Sequence, residues 1–351
     1  MSTVRLQRFL PVVAVFFALV LAAGVAFTEA AAAHRASDPG RIAFTRYRLQ
    51  NSPIWSEIWV AQPDGSRAVK ISHSPKAVED DQAHFSPDGR WIVFDRCATN
   101  APCSVWIVRP DGSGQHRIAP CGAPGGCNDS APSFAPDGKH VVFARDWGHD
   151  KQGSIPNDDQ VDHSAIIESD LAGGHTRALL HADGYTGGFA SPRISPDGKK
   201  LLFDRYGWNP ALHTPDVLSV SNIDGSGEHR VTPRSLQAQS GSWSPDSSTI
   251  LFKPSMPTVG ELTPGSNLYT VSKDGTHLRR RTNVGPYHYV LAGSFSPDGR
   301  SIVFATDANA TPNPRGGTFA DIFTLRLDGG RPKPVTRSAN LDGWPSWGNA
   351  G

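Results

Sequence analysis

The sequence has no Gly-x-Ser-x-Gly, no His-x-His or His-x-x-x-His pair, and no phosphate-cradling glycine loop in its 351 residues. The first absence removes the nucleophile elbow of α/β-hydrolases, and no domain of that kind is expected to fit. The others remove the usual short-spaced signatures of metal and nucleotide sites. An excess of one charge is missing too. Lys and Arg number 34 against 33 Asp and Glu, a net charge of +1, so nucleic acid is not an expected partner. Arg279-Arg280-Arg281 is the one basic run and reads as a solvated strand end. Cysteines are few, at 4, whereas 35 Gly and 29 Pro mark a chain built of turns.

What is present is a repeat. Phe85-Ser-Pro-Asp-Gly89 returns as Phe134-Ala-Pro-Asp-Gly138, Ile194-Ser-Pro-Asp-Gly198, Trp243-Ser-Pro-Asp246 and Phe295-Ser-Pro-Asp-Gly299. Each copy leads into an apolar run such as Ile92-Val-Phe94, Leu201-Leu-Phe203 or Ile302-Val-Phe304. The anchors lie 49, 60, 49 and 52 residues apart, close to the period of about 40–50 residues that marks propeller blades. Proline presets the turn, Asp bonds its own backbone and Gly takes the left-handed conformation. A second hairpin turn follows in most units, at Asp64-Gly65, Asp111-Gly112, Asp224-Gly225, Asp274-Gly275 and Asp328-Gly329. Each unit therefore reads as four strands. The first unit starts late, with Arg41-Ile-Ala-Phe44 matching a second strand, and the chain ends on Trp344-Pro-Ser-Trp347, which matches a first strand. The C-terminus is thus expected to complete the N-terminal blade. The result is an all-β, six-bladed propeller of four-stranded antiparallel blades over residues 41–348, closed without open edges.

Residues 1–33 read as an export signal. Arg5 and Arg8 precede an apolar stretch from Phe9 to Phe27, and Ala30 to Ala33 offer small-residue cleavage sites. An uncleaved anchor is the alternative, and only that would bring a membrane contact. Residues 34–40 read as a linker. In an exported chain, Cys97, Cys103, Cys121 and Cys127 are expected to form disulfides. Four cysteines allow three pairings; 97–103 with 121–127 is preferred, as two short clips, over a zinc site.

The repeat resembles the TolB-like propeller family, with its Trp/Phe-Ser-Pro-Asp-Gly turns, over about residues 41–348. Ser247 replaces Gly in blade five. Blade three has Ala135 for Ser, and Ala172-Gly173-Gly174 for the second Asp-Gly. The small N-terminal α/β domain of TolB itself is expected to be lacking. The resemblance implies the fold and leaves function open, because related propellers serve as scaffolds, lectin-like binders, lyases and peptidases.

The Ser-Pro-Asp-Gly and Asp-Gly turns fall on one face of such a ring. The other face carries the variable connections 47–56, 97–103, 146–163, 206–216, 254–266 and 306–320, where binding is expected. Trp55, Trp147 and Trp208 lie in or beside them. Trp59 and Trp106 read as core. Five positions before each first-strand anchor stand Asp342, Asp80 and Asp129 in blades one to three, with Glu79, Asp81 and Asn128 adjoining; Phe189, Ala238 and Val290 replace them in blades four to six. Such acids suit calcium or another divalent cation, or a basic partner. They equally suit ion pairs with Arg46, Arg96 and Arg145, which stand two residues after the second-strand Phe. Among the histidines, His149, His163, His181, His213 and His288 lie in or near the variable face. Asp146, Asp150, Asp158, Asp159 and Asp162 crowd one loop beside them. The preferred reading is a monomeric, exported binding or interaction module for a protein or glycan of the cell envelope, a binder rather than an enzyme. Asp80, Asp81, Asp129, Asp342, Trp147 and Trp208 are its candidate contacts. A metal-assisted polysaccharide lyase or hydrolase, and a pure scaffold, are the alternatives.

Overall fold

The computed structural model describes residues 39–48, 55–98, 101–122, 126–148, 163–183, 187–206, 217–254, 266–285, 288–308 and 319–349. The leader 1–33, Trp208, His149, His213, Asp150, Asp158, Asp159 and Asp162 lie outside them. Strands β1 (Arg41–Tyr47), β2 (Ser56–Ala61) and β3 (Val69–Lys70) begin blade one. Blade two is β4 (Val78–Phe85), β5 (Ile92–Ala98), β6 (Ser104–Val108) and β7 (His116–Arg117). Blade three is β8 (Asn128–Phe134), β9 (His140–Trp147), β10 (His163–Asp170) and β11 (Thr176–Asp183). Blade four is β12 (Gly188–Ile194), β13 (Lys200–Tyr206), β14 (Val217–Asn222) and β15 (His229–Arg230). Blade five is β16 (Ala238–Trp243), β17 (Thr249–Pro254), β18 (Tyr269–Ser272) and β19 (Arg279–Arg280). Blade six is β20 (Val290–Phe295), β21 (Ser301–Thr306), β22 (Asp321–Arg326) and β23 (Lys333–Pro334). The last strand, β24 (Leu341–Gly348), pairs with β1 and completes blade one. The sheets follow in ring order, with β24, β4, β8, β12, β16 and β20 each touching the next and β20 returning to β24. The six-bladed propeller closed by its C-terminal strand is therefore what the repeat implied.

The turns hold by local chemistry. In blade two the Ser86 hydroxyl donates to Asp88 (2.6 Å) and accepts from the Trp91 N–H (2.9 Å), while Asp88 accepts from the Arg90 N–H (3.0 Å). Ser247, in the glycine position of blade five, takes the same left-handed conformation at φ 61°. Its hydroxyl accepts the Asp197 N–H of the neighbouring turn at 3.0 Å, which offsets part of the strain. The core lies between blades. Phe44, Phe94, Phe143, Phe203, Phe252 and Phe304, one from each second strand, are all 0% exposed. Phe143 packs with Val93 and Val105 of blade two, and Phe44 with Val303 and Ile322 of blade six. A second strand flanked by blades on both faces has no wet side, which is why its sequence is a continuous apolar run.

Every first strand carries a bulge against its neighbour at the same level. In five of them a non-glycine residue sits at positive φ there: Gln82, Ala131, Ser191, Ser240 and Trp344. Bulges twist a strand and re-aim its side chains, and Gln82, Ser191, Ser240 and Trp344 of four of these bulges line one small shared space.

Candidate functional site

The three acids of blades one to three face arginines in register, across a hairpin in blades two and three and across the closing pair β24–β1 in blade one. Arg96 Nε and Nη2 donate to the two Asp80 oxygens at 2.6 and 2.8 Å. Arg145 holds Asp129 at the same 2.6 and 2.8 Å, and Arg46 holds Asp342 at 2.7 and 2.8 Å. All three acids are 0% exposed. Burial pushes the Asp129 and Asp342 carboxyls upward, and the arginine beside each pulls them back. The arginines are sandwiched in turn. Arg96 lies 4.4 Å from the Trp106 ring and Arg46 lies 4.5 Å from Trp59. Trp59 and Trp106, read as core, are thus only partly buried and serve as lids on guanidinium groups. In blade four, where Phe189 replaces the acid, Arg205 lies 4.6 Å over its ring in a cation–π contact and pairs instead with Glu228 at 3.9 Å.

Asp81 turns the other way. It accepts from Thr45 Oγ1 (2.7 Å), from the Gln82 N–H (2.7 Å) and from the Tyr47 hydroxyl, which ties blade two to blade one. Burial lifts its carboxyl to about 6. One residue after their second-strand Phe, the buried Asp95 accepts the Ala131 N–H at 2.9 Å, and Asp204 accepts the Ser240 N–H with both oxygens at 3.1 Å. Each of these acids thus satisfies the bulge of the next blade. Burial raises Asp204 to about 6 and Asp95 well above the usual carboxylate range. Arg193 crosses the channel. It donates to His84 Nε2 (2.7 Å) and to the Ala131 and Pro192 carbonyls (2.9 and 2.8 Å). Burial, then Arg193, push His84 well below the usual imidazole range, so the ring is the neutral acceptor. Burial also lowers Arg193 to about 10. The space left at this level, lined by Gln82, Ser191, Ser240 and Trp344 among others, is about 20 Å³, room for about one water.

On the variable face, blade three presents a ring cluster. Trp147, His163 and His181 lie nearly parallel, with centroids 5.2 Å (Trp147–His163), 5.6 Å (Trp147–His181) and 6.0 Å (His163–His181) apart. Asp183 sits beside them, its Oδ1 2.6 Å from His163 Nδ1 and 3.3 Å from His181 Nε2. Trp55 is held under Arg48, 5.7 Å from its ring. Cys97 is bonded to Cys103 and Cys121 to Cys127, clipping the connections of blade two. Elsewhere, a groove of about 990 Å³ between blades five and six is lined by Arg280, Arg281, Arg331 and Arg337. None of the four makes an ion pair among the described residues.

Of the sequence candidates, Asp80, Asp129 and Asp342 stand at equivalent places but do not converge on one point. The one His/Cys/Asp/Glu group whose ligand atoms lie within 4.8 Å, among the described residues, is His163, His181 and Asp183. Sequence reasoning passed over Asp95, Asp204, Arg193 and His84. The residue after each second-strand Phe (Thr45, Asp95, Ala144, Asp204, Lys253, Ala305) carried the signal, since an acid beside a buried Phe needs a donor.

No family model matches the chain. An uncharacterised protein of Agrobacterium fabrum is 30% identical over 155 residues, 43% of this chain and 47% of that protein. The match thus spans under half of that relative's length. The TolB structure from Acinetobacter baumannii superposes with a TM-score of 0.62 at 18% identity, over 88% of this chain and 67% of that one. A putative TolB from Agrobacterium tumefaciens gives 0.55 at 19%, over 88% and 91%. An oligogalacturonate lyase in complex with manganese gives 0.51 at 12%, over 86% and 82%. Likeness at such identities is likeness of fold, shared by proteins of different function. In architecture the chain is a TolB-like six-bladed β-propeller.

Proposed function

We propose that this protein is an exported interaction module of the cell envelope, whose partner docks on the face that carries the variable connections. The observation that supports this best is the cluster of Trp147, His163 and His181 beside Asp183. Partly exposed parallel rings flanked by a carboxylate offer apolar area and a hydrogen-bonding edge together, as contact residues at interfaces do. Two disulfides in the adjoining blade fit an oxidising compartment and stiffen the same face. Asp80, Asp129 and Asp342 enter this reading as its foundation, acting through the arginines they hold. A metal-assisted lyase or hydrolase working in the channel has less support, because Arg193 and His84 bridge it.

The test is affinity purification from envelope extracts with three baits: the wild type, Trp147→Ala, and Asp111→Ala on the opposite face. A protein or glycan that is retained by the wild type and Asp111→Ala and lost with Trp147→Ala is the expected result. Equal retention by all three baits would place the docking surface elsewhere.

A further inference from the structure

Blade three departs from the other five in one respect that its neighbours do not explain. Its outer strand β11 has 8 residues, whereas β3, β7, β15, β19 and β23 have 2 each. The added length runs toward the variable face and stays paired with β10 to its end, with His163 opposite Asp183 and Ala165 opposite His181. On the other side, His163 is opposite Trp147. Without the extension, His181 and Asp183 would not reach His163. The extension therefore assembles two imidazoles and a carboxylate from two strands on one rigid sheet.

We propose that His163, His181 and Asp183 form a binding site for a divalent transition-metal ion of the zinc and copper class. Imidazole nitrogen with one carboxylate is the donor set of such ions, whereas calcium and magnesium prefer all-oxygen shells. The candidate atoms lie within 4.8 Å of one another. Bonds of about 2.0–2.2 Å from each ligand to one ion then need only side-chain adjustment. The three side chains are 40%, 45% and 65% exposed, so they can make it. On binding, the ion takes the place of the proton between His163 Nδ1 and Asp183 Oδ1, and that proton leaves to solvent. Three protein ligands leave at least one coordination position for water or for a donor atom of a partner. Trp147 stacks on both imidazoles and so reports on the ion. The site deepens the docking reading, since it uses the same rings and carboxylate, and titration with the ion alone tests it apart from partner retention.

The test is calorimetric titration of chelator-stripped mature protein with Zn²⁺ alone, repeated on His163→Ala, His181→Ala and, as a distant control, His73→Ala. One equivalent of Zn²⁺ is expected to bind the wild type and His73→Ala. Affinity should fall at least ~10-fold in each of the other two variants, with melting in EDTA unchanged in all four. In parallel, Cu²⁺ should quench tryptophan emission in the wild type, and Trp147→Phe should lose that quenching while still binding Zn²⁺. No Zn²⁺ binding, or binding that both blade-three variants keep, would overturn the site and leave a surface histidine–aspartate pair. If the variants melt lower in EDTA, Cu²⁺ quenching in the wild type against Trp147→Phe decides alone.

Discussion

Asp80 is 0% exposed and has both oxygens on Arg96, so removing either partner strands the other in the core. Asp80→Ala and Arg96→Ala are each expected to cost about 3–5 kcal/mol, because an uncompensated buried charge remains. The double variant should cost clearly less than the sum, which chemical denaturation of the four proteins would measure. Additive losses would contradict the pairing. The channel acids behave differently. The Asp204 carboxyl titrates at about 6 in the folded protein against about 3.9 when unfolded. The folded state therefore holds the extra proton, and its contribution is full below about pH 4 and lost as pH rises through about 6. Asp81, at about 6, and Asp95, higher still, add in the same sense. Melting temperature should accordingly fall between pH 5 and pH 7.5, and Asp204→Asn should flatten that slope. His84, held neutral, acts in the opposite sense below the ordinary imidazole value of 6.5, so the comparison decides: a slope that Asp204→Asn leaves unchanged would show that Asp204 is ionised in the fold.

At the scale of elements, each disulfide closes a loop with a sequence separation of 6. Chain-entropy arithmetic for so short a loop gives about 2 kcal/mol per bond. Cys97→Ser with Cys103→Ser is expected to lower stability by about that amount while the blade still forms, as denaturant midpoints and circular dichroism would show; loss of the β signal would mean that the clip is needed for folding. Elements were also where the sequence was most and least legible. Ser-Pro-Asp-Gly followed by an apolar run ending in Phe encodes a turn and a doubly buried strand locally, so the second strands could be read one by one. The acid–arginine pairs were legible as well, since in blades two and three register follows from the turn, and the repeat carries it to Asp342 and Arg46 in blade one. The bulges at Ala131 and Ser240 were not, because these non-glycine residues hold positive φ through bonds from their N–H groups to Asp95 and Asp204 of the preceding blade rather than by local preference. The length of β11 was hidden for a similar reason. Thr176–Asp183 alternates poorly and is mostly exposed, so only pairing with β10 marks it as a strand.

For the whole molecule, closure by β24 makes the two ends of the ring interdependent. Trp347 packs against the core shared by blades six and one, and its N–H bonds Ser294 Oγ at 2.8 Å. A chain ending at residue 340 should therefore fail to melt cooperatively, having lost the inner strand of blade one and opened two edges. A closed ring also fixes which side chains share a face, and the proposed function rests on that. The most direct measurement is photo-cross-linking in intact cells from an unnatural residue placed at position 147, compared with one at position 111 on the turn face. The expected result is a discrete adduct from 147 and none from 111. Adducts of the same kind from both positions, or from 111 alone, would contradict docking on the variable face.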